Sequence, residues 1–210
     1  MFQFTQIRRH IPEDLEDSFA RLPPDEYLKS QYSYRYRTYC SGLYRGNSIE
    51  WSSSTIFMQS KTINKYLGDI ERHYPALEPS AKIFSQSIVR HLVSSQYIPA
   101  NEYQVGCHQI RVRATDEFNA YPTPEGFHQD GFDYVAINCI NRNNVNGGES
   151  FISSLDENEI IFHGTLTPGK ALVLNDRSLK HYVSPITPLF PGEAVRDVVV
   201  ITLHSNTINI

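Results

Sequence analysis

The sequence predicts a mainly β protein with flanking helices, folded as a double-stranded, jelly-roll-like barrel. Three observations predict it. After Asn101 the chain breaks into short apolar runs punctuated by Asn146-Gly147-Gly148, Pro168-Gly169, Asn175-Asp176 and Pro191-Gly192, which are turn signals. Before that point apolar residues recur at helical spacing. The 210 residues, 40% hydrophobic and 20% charged, supply an ordinary core, and barrels of this length usually stay single. The expected layout is one domain over 1–210, with a helical N-terminal part over about 1–100 and a barrel core over about 101–205.

Pro12 suits a first helical turn, and Leu15, Phe19 and Leu22 follow at i, i+4, i+7 until Pro23-Pro24 stops the pattern. A stronger helix starts from Ser80 as N-cap. Phe84, Ile88 and Leu92, with Val89 beside them, form an apolar stripe that ends before Pro99 and would pack on the outside of a sheet. The strands expected next are Tyr103–Ala114, Tyr134–Ile140, Glu149–Ser153, Glu159–His163, Ala171–Leu174 and Asp197–Leu203. Helices on one side of such a barrel leave its mouth free to hold one small ligand.

Composition excludes several classes of function. The net charge of −4, with no Lys/Arg-rich stripe, argues against nucleic acid as a partner. No apolar run reaches the roughly 18 residues of a membrane span, and the N-terminus lacks the charged and apolar regions of a signal peptide. Cys40, Cys107 and Cys139 are too few and too scattered for a disulfide framework. These readings favour a cytoplasmic protein, the interspersed acidic and basic residues favour a small zwitterionic substrate over a polyanion, and a homodimer is an allowed assembly.

The chemistry-bearing pattern is His128-Gln129-Asp130 followed by His181 and Arg196. On extended backbone, residues two apart leave the same face, so one short segment can deliver an imidazole and a carboxylate to one metal. His181 lies far enough downstream for several strands to carry the chain around a barrel and back. Two histidines and a carboxylate are the facial triad of non-heme Fe(II) oxygenases, which keeps coordination positions open. With 8 histidines and 23 acidic residues, roughly one His-x-Asp/Glu match arises by chance. The order of the features carries the signal: tripeptide, second histidine, then an arginine opening the apolar strand Val198-Val199-Val200-Ile201.

These residues make the chain recognisable. It resembles the bacterial 2-oxoglutarate/Fe(II) dioxygenases that hydroxylate free L-amino acids, most closely the L-isoleucine 4-hydroxylase (isoleucine dioxygenase) group. The resemblance is carried by Gly106-Cys107-His108-Gln109-Ile110-Arg111-Val112-Arg113-Ala114-Thr115, His128-Gln129-Asp130, Gly147-Gly148-Glu149, His181 and Arg196-Asp197-Val198-Val199-Val200-Ile201-Thr202, with Arg35-Tyr36-Arg37-Thr38-Tyr39 as an N-terminal element. It spans about residues 30–205. It implies that His128, Asp130 and His181 are catalytic iron ligands, and that Arg196 pairs with the distal carboxylate of 2-oxoglutarate, a task for a planar, permanently charged fork. It also implies O2 as co-oxidant and succinate as by-product. Related halogenases vacate the position of Asp130 for a halide, so halogenation is disfavoured. Many relatives place a serine two residues after the arginine; here Val198 stands there.

Further site residues are weaker. Gln109 and Arg111 alternate onto one face of the first barrel strand and are candidates for the cosubstrate or a substrate carboxylate, set against a plain surface face. Arg35 and Arg37 could clamp a substrate carboxylate or belong to an exposed edge strand. Tyr134 could line the pocket, against packing in the barrel core. His108 is expected on the opposite face from Gln109, as a core histidine. The expected activity is oxidation of an unactivated C–H bond in a small free amino acid or derivative, by hydroxylation. Desaturation or ring closure by the same cofactor chemistry, a protein or peptide hydroxylase, and a non-catalytic cupin-like metal-binding module are the alternatives.

Overall fold

The computed structural model describes residues 4–28, 30–63 and 68–205. In chain order its elements are β1 (Phe4–Arg8), α1 (Glu13–Ser18) running into a 3-10 turn at Phe19–Arg21, β2 (Arg35–Arg45), β3 (Ser48–Trp51), β4 (Ile56–Phe57), β5 (Arg72–His73), α2 (Pro79–Ser94), β6 (Tyr103–Ala114), β7 (Tyr134–Asn143), β8 (Val145–Gly147), β9 (Ser150–Ser153), β10 (Ile160–Gly164), β11 (Lys170–Asn175), β12 (Lys180–Val183), β13 (Ile186–Pro188) and β14 (Ala194–Ser205). The protein is mostly β, 45% strand and 13% helix, with a jelly-roll architecture.

Seven strands form one antiparallel sheet in the order β1-β11-β7-β14-β6-β2-β3. Against it pack β10-β9-β12 and the pair β13-β8, extended by single bridges from His128 to His181 and from Ala120 to Ile186. The large sheet is therefore buried on both faces. On one face, Phe84, Ile88, Val89 and Leu92 of α2 pack with Val105, Cys107, Val199, Ile201 and Leu203. Each such side chain, fully buried, is worth about 1.5–3 kcal/mol. On the other face Val135, Ile137, Leu172, Leu174 and Val198 meet Ile152, Leu166 and Leu179 from the smaller sheet side.

The N-terminal hundred residues are less helical than expected. They supply β1, β2 and β3 to the large sheet, and β2 is an inner strand between β6 and β3, not an exposed edge. Its residues do not alternate cleanly because both faces are covered. The second helix starts earlier than Ser80: Glu78 is its N-cap and Pro79 its first residue, where the fixed φ of proline fits. Pro12 likewise caps α1 instead of opening it, and Glu13, Asp14 and Glu16 sit at the positive end of the helix dipole. Among the described residues no helix is long and apolar enough to cross a membrane.

Candidate active site

A cavity of about 270 Å³ lies between the two sheets. Its floor is the inner face of β6 and β14: His108, Ile110 and Val112 from one, Arg196, Val198, Val200 and Thr202 from the other. Antiparallel register explains the choice. Arg196 stands opposite Val112, and Val112 opposite Arg35, so these residues share a face and their neighbours in sequence share the other.

His128, Asp130 and His181 meet at one end of this cavity, their donor atoms all within 4.8 Å of one another. Asp130 reaches both imidazoles, with Oδ1 3.8 Å from Nε2 of His128 and Oδ2 3.7 Å from Nε2 of His181. Reciprocal main-chain bonds between His128 and His181, 3.1 and 2.9 Å, set the two rings side by side. Nδ1 of His128 donates to the Gly126 carbonyl at 3.0 Å, which leaves Nε2 free to ligate. Burial works to lower the pKa of His128, yet Asp130 and Glu125 hold it above the ordinary imidazole range; a field that favours a proton there also favours a metal cation. Burial, then the neighbouring His128, keeps His181 well below that range, so it is a neutral imidazole able to accept a metal.

The turn that carries Asp130 is organised by Asp176, which in the sequence stands out only as part of the turn signal Asn175-Asp176. Asp176, just past β11, is fully buried and accepts the main-chain N–H groups of Asp130 at 3.1 Å, Gly131 at 2.7 Å and Phe132 at 3.0 Å. Three successive N–H groups converging on one anion form a nest. Gly131 makes it feasible, with φ at +89° and Ile63 lying 3.0 Å from where a Cβ would be. Gln129 adds a bond from its amide to the Asp176 carbonyl. Burial and the charge of Asp130 push the Asp176 carboxyl up to about 7, against the pull of the three N–H donors.

Arg196 lies at the floor of the same cavity, 2% exposed, and its Nε and Nη2 have no hydrogen-bond partner. Burial lowers its pKa. Gly148 keeps the space beside it clear: a Cβ there would stand 2.8 Å from Arg142 Nη1 and 3.4 Å from Arg196 Cδ. Of the weaker candidates, Arg35 and Arg37 line the cavity. Three others do not. Gln109 faces the helices, where its amide donates to Ser18 Oγ at 2.6 Å, and Arg111 on the same face is closed in an ion pair with Asp197 at 2.7 Å. Tyr134 packs in the helix-side core with Tyr103. All three have the parity opposite to Arg196. His108, expected on the far side, is on the cavity wall for the same reason, joined by Arg72 and Gln59, which carried no sequence signal.

The chain matches the profile of the 2OG-Fe dioxygenase family over residues 16–202. It belongs to that family. The 3(1)-hydroxy-L-isoleucine 4-dioxygenase of Pantoea ananatis is 28% identical over 92% of this chain and 81% of its own length. The L-isoleucine-4-hydroxylase of Bacillus thuringiensis is 28% identical over a shorter stretch, 47% of this chain and 41% of that protein. Among solved structures, a bsmA homolog from Methylobium petroleophilum PM1 superposes with a TM-score of 0.79 at 28% identity, covering 92% of this chain and 81% of that one. Membership in the 2OG-Fe dioxygenases implies Fe(II) and 2-oxoglutarate. The residues present fit both: two imidazoles and a carboxylate suit Fe(II), and the unpartnered Nε and Nη2 of Arg196 suit a carboxylate.

Proposed function

We propose that this 2OG-Fe dioxygenase hydroxylates an unactivated C–H bond of a small free amino acid or amino-acid derivative. His128, Asp130 and His181 would hold Fe(II), and Arg196 would hold the distal carboxylate of 2-oxoglutarate. When bound, these groups and O2 supply the oxidising chemistry. The chain's own part is to seat the cosubstrate, to keep Asp130 fixed through Asp176, and to wall the reaction with Ile110, Val198 and Val200 against water. One observation carries the reading: a ligand triad and an uncompensated buried arginine open onto one cavity of about 270 Å³, a size for small ligands. Relatives named for isoleucine oxidation support the substrate class. A reducing compartment, the cytoplasm, suits Fe(II) and the three buried free cysteines.

The test is anaerobic addition of Fe(II) and 2-oxoglutarate, watching for their visible charge-transfer band, then succinate release across free amino acids. A product heavier by one oxygen is expected; a product lighter by two hydrogens would move the assignment to desaturation or ring closure. Asp130→Ala should abolish substrate-coupled turnover in a folded protein, and retained activity would refute the ligand role of Asp130.

A further inference from the structure

Three arginines line the cavity besides Arg196, and only one of them is neutralised. Nε of Arg35 donates to Oδ2 of Asp25 at 2.8 Å, and that carboxylate is buried. Arg37 and Arg72 have no carboxylate partner among the described residues. Arg37, 8% exposed, donates from Nε to Nδ1 of His108 at 3.1 Å, a neutral acceptor. Arg72, 2% exposed, donates from Nη2 to Oε1 of Gln59 at 3.0 Å, while its Nε is buried without a partner. Both guanidiniums lie on the ring of Phe57, at 4.5 Å for Arg72 and 5.2 Å for Arg37, and Arg37 also lies on Tyr74 at 4.9 Å.

Aromatic faces and neutral acceptors offset only part of the cost of burying two like charges, and the two arginines repel each other. A protein keeps such a pair where a ligand brings the counter-charge. We propose that Arg37 and Arg72 are the seat of the substrate's carboxylate, which makes this a pocket for free carboxylic acids and not for their amides or for residues inside a peptide. The proposal rests on the amino-acid reading above and assigns its anchor. Gln59 ties the seat to the metal end of the cavity: Oε1 accepts from Arg72 while Nε2 donates to the main-chain carbonyl of Asp130 at 3.1 Å. A substrate held by its carboxylate is thereby registered against Asp130, and the carbon attacked is fixed by its distance from that carboxylate.

The experiment uses a panel of free amino acids and their matching primary carboxamides, L-isoleucine and L-isoleucinamide among them. Binding is read by calorimetry and turnover by succinate release. Wild-type protein should prefer the acid by at least about 100-fold, since a site built for a polar group rejects the analogue that leaves it unpaired. R72Q and R37Q should each lose most of that preference by weakening the acid about 100-fold and leaving the amide unchanged. R72M, which removes the charge for an apolar chain of similar length, guards against misfolding. The melting temperature and the Fe(II)/2-oxoglutarate band should be retained in all three. No acid preferred over its amide by wild type, or the preference persisting in R37Q, R72Q and R72M, overturns the seat. Loss of the band in wild type would instead overturn the cofactor assignment, while calorimetry on metal-free protein still reads the seat.

Discussion

The two faces of the large sheet bury arginines under opposite conditions, and adjacent residues of β14 show it. Asp197 points to the helices, where both its oxygens accept from Arg111, at 2.7 and 2.9 Å. Arg196 points the other way, into the cavity, with Nε and Nη2 unpartnered. One face carries a closed pair. The cavity on the other face holds one closed pair, Arg35 with Asp25, and three open cations: Arg196 and Arg37 from the sheet itself, and Arg72 reaching in from β5. A buried ion pair is complete in the protein alone, whereas a buried lone cation is tolerated only where something else completes it. On the proposed reading, that difference separates arginines that hold the fold from arginines that take up a ligand.

The largest effects should come from breaking each side of that contrast. Arg196→Met should weaken 2-oxoglutarate by about 2–5 kcal/mol, the range for removing one partner of a buried hydrogen-bonded charge pair. Yet it should leave the ligand-free protein as stable as before or more so, because it deletes an uncompensated charge. Asp197→Asn should do the reverse. It strands Arg111 and lowers unfolding free energy by about 2–3 kcal/mol, with 2-oxoglutarate affinity little changed. Urea unfolding and cosubstrate titration of both variants decide it; equal destabilisation by the two would erase the distinction between the faces.

Much of this was legible in the sequence, for physical reasons that also mark the limit. Short strands such as Tyr103–Ala114 announce themselves by apolar runs between turn residues, and β6 has those bounds. The order His128, Asp130, His181, Arg196 survives translation into space because the first pair is local and the others sit on strands bridged to it or facing it. What did not survive was parity. In the sequence, Gln109 and Arg111 fit a surface face as well as the cavity and His108 fits the core, since alternation says which residues share a face but not which face is inward. Only the pairing of Val112 with Arg196 settles that. Arg72 and Gln59 were unreadable because they reach the cavity from a segment of short strand and loop, where no periodicity points anywhere. Asp176 was hidden for another reason: its partners are main-chain N–H groups, which leave no trace in side-chain spacing.

Asp176 extends the contrast from cations to anions. Its carboxylate is buried on the cavity side but is closed by backbone donors, so it holds structure where Arg196 does not. Asp176→Asn keeps the shape, loses one acceptor oxygen and turns an amide N–H toward the main-chain donors. The Asp130 turn should loosen. Metal affinity should fall about 10–100-fold, the usual effect of losing a residue that orients a ligand. Competition with a chromophoric chelator measures it, and an unchanged affinity would show that Gln129 and Gly131 hold the turn without help.

The smallest effect is a pH signature of the open cations. Burial, then Arg37, Arg72 and Arg35, keeps His108 well below the 6.5 of a free imidazole. Below about pH 6.5 the unfolded chain therefore takes up a proton at this position that the folded chain refuses. The unfolded state binds more protons, so stability falls as pH drops through that window, by up to about 1.4 kcal/mol per pH unit from this one group. Above the window His108 is neutral in both states and contributes no slope. His108→Gln should flatten the fall by that amount. His181, also buried and neutral, remains in both proteins and cancels in the difference. Denaturant unfolding of metal-free wild type and variant between pH 5 and 7 provides the comparison. Identical slopes would mean that the folded protein accepts a proton on His108 beside three arginines, which requires an anion already seated among them.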